Sequence, residues 1–288
     1  MTKTTVLTSA VERALALGDV DDRDRSYFHE LNASVDRSQL LLARVRLAER
    51  FGEFPSAPIA REDTHIARED THTAPGVWEL ATLLELAASH DRLLARALSP
   101  EIVAATLADL GQQCRLHRAE HGNAGLGTWH WLSLHASGSL FRIGRLQYHL
   151  RRIADAENRW EVDVHIPAGE ALAPATVDGS LSRAAAFFRA HFPQLRIDRA
   201  VCTSWLFDPW LLERMKPTSN ILSFARRFQP RAATPEPTDA LYFTFGTRDM
   251  GRLHRLSARS ALQSLVLERL RSEGSWFLGR GEFRWPAS

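Results

Sequence analysis

Between residues 7 and 47 the apolar side chains recur at helical spacing, with acidic and basic residues between them. Val11, Ala14 and Leu15 form one stripe, and Leu40, Leu41, Val45 and Leu47 form part of another. The charged run Asp21-Asp-Arg-Asp-Arg25 reads as a helix start or solvated turn rather than a binding site. The pattern then breaks, and Pro55, Pro58, Pro75 and Gly76 bracket a loop at about 55–76. This loop holds a tandem copy, Ala60-Arg-Glu-Asp-Thr-His-Ile66 followed by Ala67-Arg-Glu-Asp-Thr-His-Thr73. A unit so short is no solenoid repeat. Its two histidines, His65 and His72, can be imagined on a metal, but an exposed insert is the better reading. Helical spacing resumes at Trp78 and continues to about Leu98. Ser99-Pro100-Glu101 then has the chemistry of a helix start, with serine before proline and an acid near the positive end. That helix, through Leu107, Leu110 and Leu116, should end near Gly122. The first part of the chain is all helix.

Beyond Gly125-Leu-Gly127 the period changes. Trp129-His-Trp-Leu-Ser-Leu-His-Ala136, residues 140–150 and residues 160–166 read as three strands, the latter two by alternation of apolar and polar side chains. Ser137-Gly138 and Ala156-Glu-Asn158 supply turns for an antiparallel meander. A helix at about 175–191, a strand at 199–206 and a helix at about 209–215 follow. A strand at 241–245, a long amphipathic helix at 260–272 and a closing strand at 276–285 complete the chain. The order predicts an α+β protein: a helical domain, residues 1–122, and a mixed-sheet domain flanked by helices, residues 123–288.

Composition narrows the classes. The chain has 288 residues, long enough for two domains, and its 44% hydrophobic content suits packed cores rather than disorder. A net charge of +2 is close to balanced and gives no reason to expect nucleic acid. Two cysteines, Cys114 and Cys202, cannot build a disulfide framework and suit a reducing compartment, so a cytoplasmic location is expected. No apolar run is long enough to span a membrane. The first 15 residues, with Lys3 and Arg13 among polar neighbours, lack the apolar core of a signal peptide.

Several stretches carry a family resemblance: Ala108-Asp-Leu-Gly111, Gly125-Leu-Gly-Thr-Trp129, Gly144-Arg-Leu-Gln147, His165-Ile-Pro167, Ser204-Trp-Leu206, Asp208-Pro209, Ser219-Asn-Ile221 and Phe224-Ala-Arg-Arg-Phe228. Together they resemble the GNAT-like acyltransferases of a bacterial two-part family with a helical N-acyltransferase N-terminal domain. The resemblance implies an acyl group taken from acyl-CoA, or from pantetheine on an acyl carrier protein, without a metal. It implies that the strand at 160–166 diverges from its neighbour and offers its backbone, at Val164 and Ile166, to the pantetheine arm. The following loop would hold the pyrophosphate on its amides and the next helix N-terminus, through Gly169 and Leu172. Here that loop reads Pro167-Ala-Gly-Glu-Ala-Leu-Ala173. It keeps one glycine of the family's basic, glycine-rich pattern, lacks the leading basic residue and introduces Glu170. A carboxylate facing a diphosphate repels it, and a carrier-bound pantetheine would need fewer phosphate contacts.

Candidate chemistry follows. His165, at the strand end where the thioester would lie, can accept an amine or alcohol proton near neutral pH, or can simply bond a backbone carbonyl. Cys202 and Ser204 share one face of the next strand by alternation. In the family this stretch commonly reads Cys-His-Ser-Trp-Leu-Leu-Asp-Pro, with Thr203 and Phe207 departing from it here. Ser204 can protonate the leaving thiolate or bind the acceptor. Cys202 can carry the acyl group if His165 is its base, or can be a small buried side chain. Asp208, before Pro209, reads as an N-cap. Asn220 would bond the pantetheine or form a turn. Arg226 and Arg227 would meet a phosphate or acidic substrate, or face solvent. His117-Arg-Ala-Glu-His121 matches a short zinc-protease pattern, but Gly122 stops the helix and no third ligand follows. Trp129 and Trp131 lack the interleaved basic residues of a nucleic-acid platform and read as core or acyl-pocket packing.

The expected function is direct transfer of an acyl group from a thioester to an amine or hydroxyl of a small molecule or peptide. His165 would be the base, and the strand amides near Val164 and Ile166 would polarise the carbonyl. Neither a membrane nor nucleic acid is an expected partner. A degenerate GNAT fold that binds pantetheine or peptide without turnover is the alternative. A hydrolase built on Ser204 or Cys202 lacks the glycines of a nucleophile elbow.

Overall fold

The computed structural model describes residues 3–59, 74–153, 158–272 and 274–285. The tandem copy at 60–73 and most of the turn expected at 156–158 lie outside these residues. The chain divides into two compact units, 1–143 with 149–154, and 144–148 with 155–288.

In the first unit the sequence 7–47 forms three helices, α1 (Lys3–Leu17), α2 (Asp22–Ser34) and α3 (Arg37–Glu49). The core is organised around α4 (Val77–Ala95), which is apolar on nearly every face and buried along most of its length. A helix this apolar must be surrounded; α1, α3 and α7 (Trp129–Ala136) pack on it, and Trp78 stacks on Trp129 at 5.1 Å. Its one buried acid, Glu85, is held by Arg44 at 2.8 Å. The helix starting at Pro100 is two helices, α5 (Pro100–Leu107) and α6 (Asp109–His121), and α6 ends at Gly122 in the left-handed region at φ +79°. Residues 129–136, expected as a strand, form α7 instead. Trp129, Leu132 and Ala136 recur at i, i+3 and i+7, but the segment is buried on most sides, so it shows little polar contrast to separate the two periods.

The strands β1 (Leu140–Ile143), β2 (Leu146–Arg152), β3 (Trp160–His165), β4 (Ile197–Ser204), β5 (Gln229–Pro235) and β6 (Phe277–Arg284) lie in the order β1-β2-β3-β4-β6-β5. In the second unit β3 and β4 are parallel, joined through α8 (Pro174–His191), while β6 runs antiparallel to both β4 and β5. A 3-10 turn (Trp205–Phe207) follows β4 and leads to α9 (Pro209–Arg214) and α10 (Asn220–Ala225). Residues 241–245 fall within a helix, α11 (Asp239–Phe245), rather than a strand; a 3-10 turn and α12 (Ala261–Arg271) follow. Glycine is required at Gly279 and Gly281 of β6, where a Cβ would sit 2.7 Å from the Phe207 carbonyl oxygen and 2.7 Å from the Phe228 Cβ.

Candidate active site

The parallel pair at the centre of the second unit does not stay paired. Its register runs from Trp160↔Ile197 to Asp163↔Val201, yet β3 continues to His165 and β4 to Ser204. Meanwhile β4 stays paired with β6 to its last residue, Ser204↔Gly279. The two strands therefore part at their C-terminal ends, and the backbone groups of Val164 and His165 on one arm face Cys202 to Ser204 on the other without a ladder between them. Two strands that part beside an opening leave room between them for an extended amide-bearing ligand.

Beyond β3 the chain turns through residues 166–173 into α8. Pro167 is buried and its carbonyl accepts a hydrogen bond from Arg145 Nη1 at 2.9 Å; Leu172 is buried at the other end. Residues 168–171 form an exposed crest between these anchors, with Gly169 at φ +119° and Glu170 in solvent. The N-cap position of α8, Ala173, offers no side-chain oxygen to the first turn, so the amides there are open to an anion. Ser180, one turn further into α8, ties the helix to β2 by accepting the Leu146 N–H at 3.2 Å and bonding Tyr148 Oη at 2.8 Å. Arg145 thus stands under the loop whose own sequence lacks a cation. Arg145 lies in the turn that splits the single strand expected at 140–150 into β1 and β2, and neither that turn nor the contact with Pro167, 22 residues on, was read from the sequence.

Strand alternation and register sort the candidate residues onto two faces. Gly279 and Gly281 point toward Phe207 and Phe228, so their partners on β4, Ser204 and Cys202, share the face covered by α10. Asp163 pairs with Val201, which places His165, Asp163 and Glu161 on the opposite face with Thr203 and Arg199. That second face is charged. Glu161 accepts from Arg199 Nε at 2.8 Å and lies 3.6 Å from Arg280; Arg199 also reaches Glu282 at 3.3 Å, which pairs with Arg231 at 2.8 Å. Sequence reasoning passed over Glu161 and Asp163, although Glu-Val-Asp-Val-His already spelled a polar row on one side of β3.

Cys202 and His165 are not brought together as a nucleophile and base, because they lie on opposite faces. Burial pushes the Cys202 thiol well above its usual range, and the Asp163 carboxylate adds to the effect. Ser204 Oγ accepts the Leu206 N–H at 3.1 Å. Asp208 caps α9 through the Leu211 N–H at 3.1 Å, and it also accepts from Phe277 N at 3.0 Å and from Arg269. Asn220 opens α10. Arg227 is bound to Asp178 of α8 at 2.7 Å, so it clamps α10 to α8. In the first unit, His117 Nδ1 accepts the Gly127 N–H at 3.3 Å, and burial, then the neighbouring His121, lower its pKa. Among the described residues no group of three or more His, Cys, Asp or Glu is arranged for a metal ion, and no helix is long and apolar enough to cross a membrane.

A helical unit followed by a mixed sheet, whose parallel central strands part in front of an open helix N-terminus, is the architecture of a GNAT-like N-acyltransferase. The chain belongs to the family of the GNAT-like C-terminal domain, matched over residues 140–283, and an N-acyltransferase N-terminal domain matches residues 9–138. No curated protein matches it. Among solved structures it is similar to an acyltransferase in complex with decanoyl-CoA and teicoplanin, at 27% identity and a TM-score of 0.77, over 94% of this chain and 86% of that one. An acyltransferase in complex with CoA and 10C-teicoplanin is 26% identical over the same shares, also at 0.77. Another, in complex with decanoyl-CoA, shares the fold at 24% identity and a TM-score of 0.73, over 99% and 100% of the two chains.

Proposed function

We propose that this protein transfers an acyl group from acyl-CoA to an amine or hydroxyl of a small-molecule acceptor. The observation that carries this reading is the parting of β3 and β4 after Asp163 and Val201, directly before the open N-terminus of α8. CoA is favoured over a carrier-bound pantetheine because the similar structures are complexes with decanoyl-CoA and teicoplanin and with CoA and 10C-teicoplanin. Val164 and Ile166 would meet the pantetheine arm, and the crest at Gly169 with the first turn of α8 would meet the pyrophosphate. Acyl-CoA supplies an activated thioester carbonyl. His165 takes the proton from the acceptor as its nitrogen or oxygen bonds to the carbonyl carbon and the carbon–sulfur bond breaks. Asp163, two residues back on the same face, supports the charge that His165 gains. Ser204 accepts the Leu206 N–H, which leaves its own O–H to hydrogen-bond the departing thiolate, whose proton comes from solvent.

The test is thiol release from acyl-CoA in the presence of amine acceptors, alongside melting curves with CoA. His165→Ala should lower turnover by ~10²-fold or more while leaving CoA binding unchanged. Unchanged turnover would remove His165 from the role of base. Failure of CoA to raise the melting temperature at saturation would remove the CoA-dependent reading itself.

A further inference from the structure

The segment 246–259, between α11 and α12, is ordered without being packed. Gly246 turns the chain out of α11 at φ +69°, and Gln263 of α12 closes the neck of the loop that follows. Its side chain donates to the Thr244 carbonyl and accepts the Arg259 N–H, both at 2.7 Å. Arg271 holds the far side through the carbonyls of Leu253 and Leu256, at 2.9 and 2.6 Å. Asp249 caps the 3-10 turn Met250–Arg255 by accepting the Gly251 N–H at 2.9 Å. A surface loop with closed ends is an Ω-loop, a form that is frequently functional. This one is fixed through its backbone, and Thr247 is the only side chain in it that is buried.

The side chains it leaves outside share a character. Arg248, Arg252, Arg255 and Arg259 stand against one acid, Asp249, so the loop is more positive than the whole chain with its net +2. Arg248 is paired with Asp239 at 2.7 Å. Arg252 and Arg259 make no side-chain hydrogen bond or ion pair among the described residues, and Arg255 bonds only His254, at 3.0 Å. Among the described residues of the second unit, Phe243 beside the neck and Met250 on the loop are the exposed large apolar side chains, at 55% and 38%. Unpaired cations beside exposed apolar groups suit a surface that is anionic outside and apolar beneath, which is the chemistry of an anionic lipid bilayer. A nucleic acid would call for stacking rings, and the loop has none but His254. We propose that this loop holds the protein to an anionic membrane surface, its arginines on lipid phosphates and Met250 and Phe243 in the headgroup layer. This departs from the sequence-based expectation of no membrane partner, but a surface-bound loop needs no spanning segment. It does not depend on the acyl-CoA reading.

The experiment is flotation of the full-length protein with vesicles of phosphatidylcholine alone and of phosphatidylcholine mixed with phosphatidylglycerol, at low and high salt. The protein should bind the mixed vesicles alone, and less as the salt rises. Arg252→Gln, Arg255→Gln and Arg259→Gln should each weaken binding roughly fivefold, and together by ~10²-fold. Lysine at all three positions keeps the charge and should leave binding as it was. Met250→Ser with Phe243→Ser should weaken binding at both salt concentrations. All these side chains are exposed, so melting temperatures should stay within about 2 °C and show that the variants are folded. Equal binding to both kinds of vesicle, binding to neither, or a triple glutamine variant that binds like the unaltered protein overturns the proposal. Tighter binding to a thymidine oligonucleotide than to the mixed vesicles would give the loop to nucleic acid and overturns it as well.

Discussion

Cys202 shows how much a single residue's environment decides. It is fully buried on β4, and desolvation holds its thiol protonated at any physiological pH, which is the opposite of what a nucleophilic cysteine needs. Replacement by alanine should therefore keep turnover within about twofold and cost roughly 1 kcal/mol of stability for the lost sulfur. Alkylation by iodoacetamide should wait for unfolding. Rapid modification of Cys202 in the native protein, or a collapse of turnover in Cys202→Ala with its melting temperature kept, would contradict this. That Cys202 and Ser204 share a face was legible in the sequence, because alternation is a local rule. That His165 lies across the sheet from both was not, because it depends on the pairing of Asp163 with Val201 between segments joined by an entire helix. The same holds for Arg145, whose contact with Pro167 supplies a cation beneath a loop that reads as lacking one.

At the level of elements, local hydrogen-bonding chemistry outweighed strand-like composition. Leu241-Tyr-Phe-Thr-Phe245 is rich in aromatic residues, yet it is helical because both ends are fixed. Glu236 accepts the N–H groups of Thr238 and Asp239 at 2.9 and 3.2 Å, and Gly246 closes α11 at φ +69°. The stop and start signals were in the sequence; the aromatic run masked them. Glu236→Ala should cost about 1 kcal/mol of stability. The hydrogen bonds from Thr238 hold the Glu236 carboxyl below its ordinary pKa of 4.5. Its contribution is therefore present above that pH and fades as the pH falls through the lower folded value. The variant's deficit, read from urea melts, should shrink between pH 5 and pH 3. Asp208 is a larger case. It is completely buried and joins the start of α9, the start of β6 and Arg269 of α12, which itself lies over the rings of Trp210 and Trp276. Asp208→Ala would leave the guanidinium without its counter-charge and should cost at least ~3 kcal/mol, measured by the same melts. A loss below about 1 kcal/mol would reduce Asp208 to a simple cap.

For the whole molecule the order of helices before sheet was readable in the sequence, but the period changes near residue 140, after α7, and not near residue 125. The sheet itself was readable from the alternation within 140–150 and 160–166. The charges add a property that no single element shows. Asp21, Asp36, Asp91, Asp198 and Glu236 all have pKa values below their ordinary ones. Arg118 does this for Asp21, and Ser38 for Asp36. Arg13 does it for Asp91, and at Asp198 the pull of Arg159 and Arg196 exceeds the opposing effect of burial. Each such carboxylate binds its proton more readily unfolded than folded, so each stabilises the fold above about pH 4 and loses that effect as the pH falls further. The acids with raised values behave in the mirror sense. Burial lifts Cys114 from 9.0 to about 12, and lifts Cys202, Tyr27 and Tyr148 as well. In the folded chain these groups stay protonated at a pH where the unfolded chain releases its protons. Their stabilisation is complete below about pH 9 and declines as the pH rises beyond it. The melting temperature should therefore run flat from about pH 5 to pH 8.5 and fall on both sides. The two limbs have separable origins. Cys114→Ala should make the alkaline limb shallower and leave the acid limb untouched. Arg118→Gln should make the acid limb shallower, and it should also lower stability on the plateau by ~3 kcal/mol or more, because Asp24, buried beside it, loses the guanidinium that balances its charge. An alkaline limb unchanged by Cys114→Ala would mean that the buried thiols do not set it, and the tyrosines would be left to account for the fall.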